Sequence, residues 1–381
     1  MGRATAPIIT IIGYYGFANT GDEALLQSMI TGLRQGIPEA ELCVLSATPD
    51  QTARHHQVRA INRWDMRQVI RQLRRSHLLI SGGGTLLQDA TSLRSLLYYS
   101  AIVLAARWLG CPVFLYANGI GPLQTRLGRW LALRAIRAAN AITLRDYRSL
   151  DALEQLLGTH SLSHLNIPVE VTGDPAFNLS KPSAAEAREL LERLGIGSTR
   201  PLLGISLRPT PHLEESLPVL AAAINSFAQE EQCHCVLFPL QSPADFQVSR
   251  RFEPLLKVPC TLLPADLTPQ EIMMLLQQMD AVVGIRLHAL ILAAAGGIPV
   301  AGIEYDPKVA SFLVEVGQLN LGPLAGLEEN RLTRELRRFW QERPRAREIL
   351  AERVPILAMR ARRNNQIALE IIERFQPRSS R

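Results

Sequence analysis

The chain has 381 residues, 47% of them apolar and 20% charged. That composition supports a large core and excludes both a small disulfide-stapled scaffold and a charge-rich disordered chain. Lys and Arg outnumber Asp and Glu by 41 to 35, a net charge of +6; spread over this length it permits anionic partners and identifies none.

The five cysteines, Cys43, Cys111, Cys233, Cys235 and Cys260, lie in or beside apolar β-like runs. So sparse and odd a set argues against a disulfide framework and for a reducing compartment. No positively charged start followed by an apolar core reads as a signal peptide. The most apolar stretches, Leu96–Ala106 and Ala289–Ile303, fall short of the roughly 20 residues that a membrane-spanning helix needs. The expectation is a cytoplasmic protein whose membrane contact, where there is any, is peripheral.

Short β-branched runs alternate with helix-period segments, the pattern of parallel sheets covered by helices. In the first half the predicted strands are Ile8–Gly13, Leu42–Ser46, His77–Ser81, Pro112–Ala117, Ala141–Leu144 and Val169–Thr172. In the second half they are Leu202–Leu207, Cys235–Pro239, Thr261–Leu263, Ala281–Ile285 and Val300–Glu304. Two similar α/β units follow, with the junction placed at Asn178–Ser183, where turn residues interrupt the periodicity. The domain bounds are residues 1–180, 181–325 and an Arg-rich helical tail, 326–381, expected to pack back on the first domain. Pro344 and Pro355 are expected to break or kink that tail.

The first strand leads into Tyr14-Tyr15-Gly16-Phe17-Ala18-Asn19 and then Thr20-Gly21-Asp22-Glu23. Thr20 and Glu23 have capping-box spacing, and the loop aims a helix N-terminus, an anion-attracting feature, at the carboxyl edge of the sheet. GxGxxG is absent, so no dinucleotide fingerprint is present. Ser81-Gly82-Gly83-Gly84-Thr85 and Asn118-Gly119-Ile120-Gly121-Pro122 end two further strands. In a parallel sheet all three Gly-bearing loops share one edge, where ligands bind.

In the second unit one strand ends in Arg286-Leu287-His288 and the next in Glu304-Tyr305-Asp306-Pro307-Lys308. Adjacent strands would gather two fixed cations and a group titrating near neutrality. The bland alternative pairs Arg286 with Asp306 or Glu304 and has His288 cap a helix. Arg145 ends a strand of the first unit in the same manner, as a cleft residue or as half of a surface ion pair. Cys233-His234-Cys235 lacks the further ligands of a zinc site and reads as core. His55-His56 and the stretch Arg67–Arg75 read as solvated faces without the interleaved aromatics of a nucleic-acid platform, so no nucleic-acid partner is expected.

Taken in order, residues 13–26, 81–89, 118–123, 144–150, 171–177, 284–300 and 304–309 resemble the polysaccharide pyruvyl transferase family, and within it the CsaB-type enzymes of bacterial cell envelopes. The resemblance runs from about residue 8 to about residue 320. It implies two Rossmann-like α/β domains with a cleft between them, as in the GT-B glycosyltransferases. It also implies phosphoenolpyruvate as donor and a pyruvate ketal formed on a sugar. The family's phosphoenolpyruvate residues match Arg145, His288 and Lys308, with Arg286 in the same motif. Tyr15, Phe17, Asn19 and Asp22 match the acceptor side; Gly83, Gly84 and Asn118, from the Gly-bearing loops, are further substrate-binding candidates. The implied acceptor is a lipid-diphosphate-linked saccharide carrying N-acetylmannosamine.

On this reading Arg145, Arg286 and Lys308 supply charge, His288 donates a proton, and neither a metal nor a further cofactor is required. Asp174 and Glu304 are candidates for the base, with Asp174 equally suited to capping a turn. Two alternatives stand beside it: a nucleotide-sugar glycosyltransferase of the same architecture and a non-catalytic anion-binding protein.

Overall fold

The computed structural model describes residues 6–158, 162–179, 183–197 and 199–375. Contacts divide these into two units: residues 6–17, 22–178 and 357–375 in the first, 18–21 and 179–356 in the second. The junction predicted at Asn178–Ser183 falls in part on 180–182, outside the described residues.

The first unit runs β1 (Ile8–Ile12), α1 (Thr20–Gly36), β2 (Glu41–Ser46), α2 (Pro49–His56), β3 (Arg59–Asn62), α3 (Met66–Arg75), β4 (Leu78–Leu87), α4 (Leu93–Trp108), β5 (Val113–Ile120), α5 (Arg126–Ala138), β6 (Ala141–Leu144), α6 (Tyr147–Leu157) and β7 (Val169–Val171). Its seven strands are all parallel, in the order β3-β2-β1-β4-β5-β6-β7. The order reverses between β1 and β4. Asp65, Ser92, Thr125 and Asp146 start α3, α4, α5 and α6 by accepting first-turn amide hydrogens with their side chains.

The central strands are buried on both faces, and two cores cover them. One gathers Val69, Leu73, Leu96, Val103, Leu131, Ile136 and Leu153 from α3 to α6. The other joins Ile9 and Ile11 to Leu26, Met29 and Ile30 of α1.

Two predicted turns prove to be strand. β4 continues through Gly82-Gly83-Gly84 to Leu87, and β5 continues through Asn118 to Ile120. Glycine is required there: a Cβ on Gly82 would sit 2.7 Å from the Tyr116 carbonyl oxygen, and Gly83 and Gly84 have φ of +77° and +87°. The expected Thr20–Glu23 capping box does not form. Glu23 instead accepts the Gly16 amide hydrogen at 2.7 Å and meets His56 Nε2 at 2.8 Å.

The second unit contains α7 (Ala184–Arg193), β8 (Leu202–Ser206), α8 (Leu213–Glu230), β9 (His234–Leu237), α9 (Ala244–Phe252), β10 (Cys260–Leu262), α10 (Pro269–Leu276), β11 (Ala281–Gly284), α11 (Leu287–Ala295), β12 (Val300–Glu304), α12 (Pro307–Val316), β13 (Leu319–Pro323) and α13 (Glu329–Gln341). Its strands are parallel in the order β10-β9-β8-β11-β12-β13, reversing between β8 and β11. The five cysteines are free.

The last helix, α14 (Arg343–Phe375), carries Pro344 in its first turn and continues through Pro355. Its residues from Leu357 onward belong to the first unit. There Ile367, Ala368, Ile371 and Ile372 join the core with α1, and Asn364 and Asn365 hydrogen-bond Thr172 and Tyr116.

Candidate active site

In open parallel sheets ligands favour the strand carboxyl ends where the order reverses. In the first unit that point lies between β1 and β4, and Tyr15 fills it. Its side chain is fully buried, and its hydroxyl donates to the Gly82 carbonyl oxygen at 2.7 Å. Burial, with Asp22 and Glu23 nearby, raises its pKa well above the ordinary tyrosine value. Tyr15 therefore offers no face to an acceptor; it shapes the loop. Asn118 is likewise buried, its amide donating to the Ser81 and Tyr116 carbonyl oxygens. Phe17 stacks on Tyr14 with ring centroids 4.3 Å apart, and Asp22 lies over Gly84, where a Cβ would come within 3.1 Å of Oδ1.

Arg145 follows β6 on the same edge and is 8% exposed. Its Nε meets Asp146 Oδ2 at 3.3 Å and its Nη1 lies 3.9 Å from Asp174 Oδ2. Burial opposes the guanidinium charge, but Asp146, Asp174 and Asp22 outweigh it and raise the Arg145 pKa. Three carboxylates thus balance a cation expected to serve an anionic donor. Asp174 is 5% exposed; Oδ1 accepts the Ala176 amide hydrogen at 2.9 Å, the turn cap foreseen in the sequence, while Oδ2 faces Arg145. Burial pushes the Asp174 carboxyl pKa up against the pull of Arg145.

The second unit presents a different balance. Arg286, at the N-cap of α11, directs its guanidinium to Asp245 of α9: Nε donates to Oδ2 and Nη2 to Oδ1, both at 2.6 Å. Nη2 also reaches Gln241 Oε1 at 2.7 Å. The partner of Arg286 is therefore neither Asp306 nor Glu304. His288 sits one residue into α11 instead of capping it. The Gly21 backbone lies against its ring, so that a Cβ on Gly21 would fall 2.3 Å from His288 Nδ1. Segment 18–21 is fixed to this unit by Thr20 N–H donating to Leu240 O at 2.8 Å and by a bridge between Asn19 and Gln241.

β11 and β12 are neighbours, as predicted, so α12 starts beside α11. Lys308 Nζ lies 3.4 Å from Asp306 Oδ2 and 5.4 Å from the centroid of the Tyr305 ring. The same ring carries a second cation that the motifs did not reveal. Arg208, two residues beyond β8, places its guanidinium 4.6 Å from the Tyr305 centroid and donates to the Tyr305 hydroxyl. Burial and the nearby charge of Arg286 lower its pKa, only partly offset by Tyr305 and Asp245. Arg208 and Arg286 follow β8 and β11, the two strands flanking the reversal. The signal that would have found Arg208 is its place directly after the predicted strand Leu202–Leu207.

Residues 19–307 match the family model described as Polysaccharide pyruvyl transferase. The chain belongs to that family. It is a transferase, and the family implies a sugar acceptor. No curated protein matches the chain. Among solved structures it resembles Anabaena Alr3699/HepE in complex with UDP-glucose, at 16% identity and TM-score 0.65, with 96% of this chain and 99% of the other covered. It also resembles a putative UDP-N-acetylglucosamine 2-epimerase from Listeria monocytogenes, at 12% identity and TM-score 0.68 over 97% of each chain. A third likeness is to a glycosyltransferase from Rickettsia africae, at 11% identity and TM-score 0.62, covering 99% and 100%. At these identities the likeness concerns the fold, which is GT-B-like.

Among the described residues no three His, Cys, Asp or Glu side chains gather as metal ligands, and no helix is long and apolar enough to cross a membrane. A cavity of about 340 Å³ lies at the amino-terminal edge of the first sheet, lined by Ile8, Leu42, Cys43, Arg59 and Gln72 among others. It is at the wrong end of the strands for the residues above.

Proposed function

We propose that this pyruvyl transferase uses phosphoenolpyruvate as donor and forms a pyruvate ketal on two hydroxyls of its sugar acceptor, releasing phosphate. The observation that carries the reading is the electrostatic balance at the reversal of the second sheet. Asp245 is paired with Arg286, while burial, together with repulsion from Arg286, lowers the Arg208 pKa. A small polyanion relieves that repulsion; a neutral ligand does not.

Arg208 and Lys308 bind the donor's carboxylate and phosphate, while Arg286, locked by Asp245, orients the loop between them. His288 protonates the donor methylene carbon, and C2 acquires oxocarbenium character. One sugar hydroxyl attacks C2 and loses its proton to a base. Phosphate then leaves with the C–O bonding pair, and the second hydroxyl attacks the resulting cation at C2 and gives its proton to the deprotonated His288, closing the ketal and restoring the acid. The carboxylates around Arg145 suit hydroxyl recognition, and Asp174, with its raised pKa, is the base on this reading. The resemblance gives Arg145 to the donor; the carboxylates that balance it favour a role in holding Asp174. The acceptor we propose is a lipid-diphosphate-linked saccharide with N-acetylmannosamine, which places the enzyme at the cytoplasmic membrane surface.

A second reading, nucleotide-sugar glycosyl transfer, draws on the structural neighbours, one of which is in complex with UDP-glucose. Thermal-shift measurements separate the two. Phosphoenolpyruvate at about 100 times its Kd adds about 2.7 kcal/mol and raises the transition, whereas UDP-glucose leaves it in place. With a diphosphate-linked N-acetylmannosamine acceptor, phosphate is released and the acceptor gains the ketal mass. Stabilisation by UDP-glucose alone, without phosphate release, establishes the second reading.

A further inference from the structure

Helices α4 and α5 pack against each other over one face of the first sheet, and the sides they turn to solvent share an unusual composition. Arg94, Arg107, Arg126, Arg129, Arg134 and Arg137 are all exposed, and no Asp or Glu occurs between residues 93 and 138. The charge of these two helices equals the +6 of the entire chain, so the excess is concentrated here and the remainder is balanced. Among the described residues none of the six forms an ion pair.

Large apolar side chains stand among these arginines. Trp108 is 82% exposed, Leu97 53%, and Leu127 and Trp130 51% each. On α5, Leu127, Trp130, Arg134 and Arg137 recur every three or four residues and occupy one side of the helix. Arg134 lies over the Trp130 ring, 5.2 Å from its centroid. On α4, Arg94, Leu97 and Ala101 form the corresponding stripe, with Trp108 two turns on.

We propose that the α4–α5 face docks on an anionic lipid bilayer. Tryptophan favours the headgroup level, leucine the acyl boundary, and arginine the lipid phosphates, so the three residue types found together are those an interface rewards. A second copy is a poor occupant, because two such faces would oppose like charges. Nucleic acid would satisfy the arginines but leave Leu97 and Leu127 in water. No helix among the described residues is long and apolar enough to cross a membrane, and the attachment proposed is through this face alone.

The test is flotation of the full chain with vesicles of 70% phosphatidylcholine and 30% phosphatidylglycerol, against vesicles of phosphatidylcholine alone. Binding is expected to the anionic vesicles at 50 mM NaCl and to weaken sharply at 500 mM. At about fivefold per arginine, Arg126→Gln with Arg129→Gln lowers partitioning about 25-fold. Trp108→Ala with Trp130→Ala also releases the protein while circular dichroism and phosphate release from a soluble acceptor stay at wild-type levels. Those two controls keep the surface separate from the donor assignment. Absence of flotation at low salt, or arginine and tryptophan variants that float like wild type, overturns the proposal. So does a dimer in solution that the tryptophan substitutions dissolve.

Discussion

The Arg286–Asp245 pair offers the sharpest structural prediction. Asp245 is fully buried and Arg286 8% exposed. Asp245 accepts two hydrogen bonds from the guanidinium at 2.6 Å and one from the Gln241 amide at 3.0 Å. Asp245→Asn keeps the shape but leaves Arg286 buried without a counter-charge and still facing Arg208. Removing one partner of a buried pair costs about 3–5 kcal/mol. At about 2–4 °C per kcal/mol for a unit of roughly 150–250 residues, the transition of the second unit should fall by about 6–20 °C by calorimetry. Phosphoenolpyruvate should restore more stability to this variant than to wild type, since it supplies the missing negative charge. Replacing both residues, Asp245→Leu with Arg286→Met, should recover most of the loss. A variant melting within about 2 °C of wild type, or one that phosphoenolpyruvate does not rescue, would refute the argument.

His288→Ala should lower kcat by about 10²–10⁴-fold, the usual scale of general acid–base catalysis, with a smaller change in the KM for phosphoenolpyruvate; an unaltered kcat removes the residue from the mechanism. Arg208→Gln should weaken donor affinity at least tenfold by titration calorimetry and abolish the donor's thermal shift, and unchanged affinity would return Arg208 to a structural role. Arg145→Gln discriminates between the two roles considered for it: loss of kcat at constant donor affinity supports acceptor-side action, and loss of donor affinity supports the role the resemblance implies. Asp174, with a carboxyl pKa raised by burial, contributes stability that is complete below the unfolded value near 3.9 and is lost as pH rises through the folded value. Asp174→Asn should flatten that decline and, if Asp174 is the base, delete the acid limb of kcat/KM. Gly21→Ala should drive a Cβ to 2.3 Å from His288 Nδ1 and 2.7 Å from its Cβ, so both kcat and the melting temperature should fall; wild-type values of both would show that the ring gives way freely.

The fold class was legible because parallel strands covered on both faces read as β-branched runs separated by helical periods. What escaped were β3 and β13, whose four- and five-residue sequences, RAIN and LNLGP, lie at sheet edges with half their side chains in water. A short polar edge strand has little periodicity to display. The glycine triplet was visible but misread, since the sequence does not distinguish a turn from a strand whose glycines let Tyr116 come close. Of the site, the neighbouring ends of β11 and β12 were foreseen because strand order follows from alternation. Asp245 was not, because α9 reaches Arg286 from 41 residues away and no local pattern encodes that pairing. The exposed Trp108 and Trp130 were hidden for a related reason: a tryptophan in or beside an apolar helical segment reads as core, and only packing decides that these two meet water.

The two sheets reverse strand order in the same way, between the first and fourth strands of each series, yet their reversals are furnished differently. Tyr15 occupies the one in the first unit and directs its hydroxyl to Gly82, while Asp22 in the first turn of α1 and Asp146 and Asp174 beyond β6 and β7 surround Arg145 with negative charge. In the second unit the flanking strands end in Arg208 and Arg286, with His288 and Lys308 beside them. Carboxylates accept hydrogen bonds from sugar hydroxyls and can take a proton from them; guanidinium and ammonium groups answer carboxylate and phosphate. On the proposed mechanism the acid-rich set of the first unit serves the acceptor and the cationic set of the second serves the donor. Exchanging a single charge tests that division: Asp22→Asn should raise the KM for the sugar and leave donor affinity intact, because the carboxylate belongs to the acid-rich set.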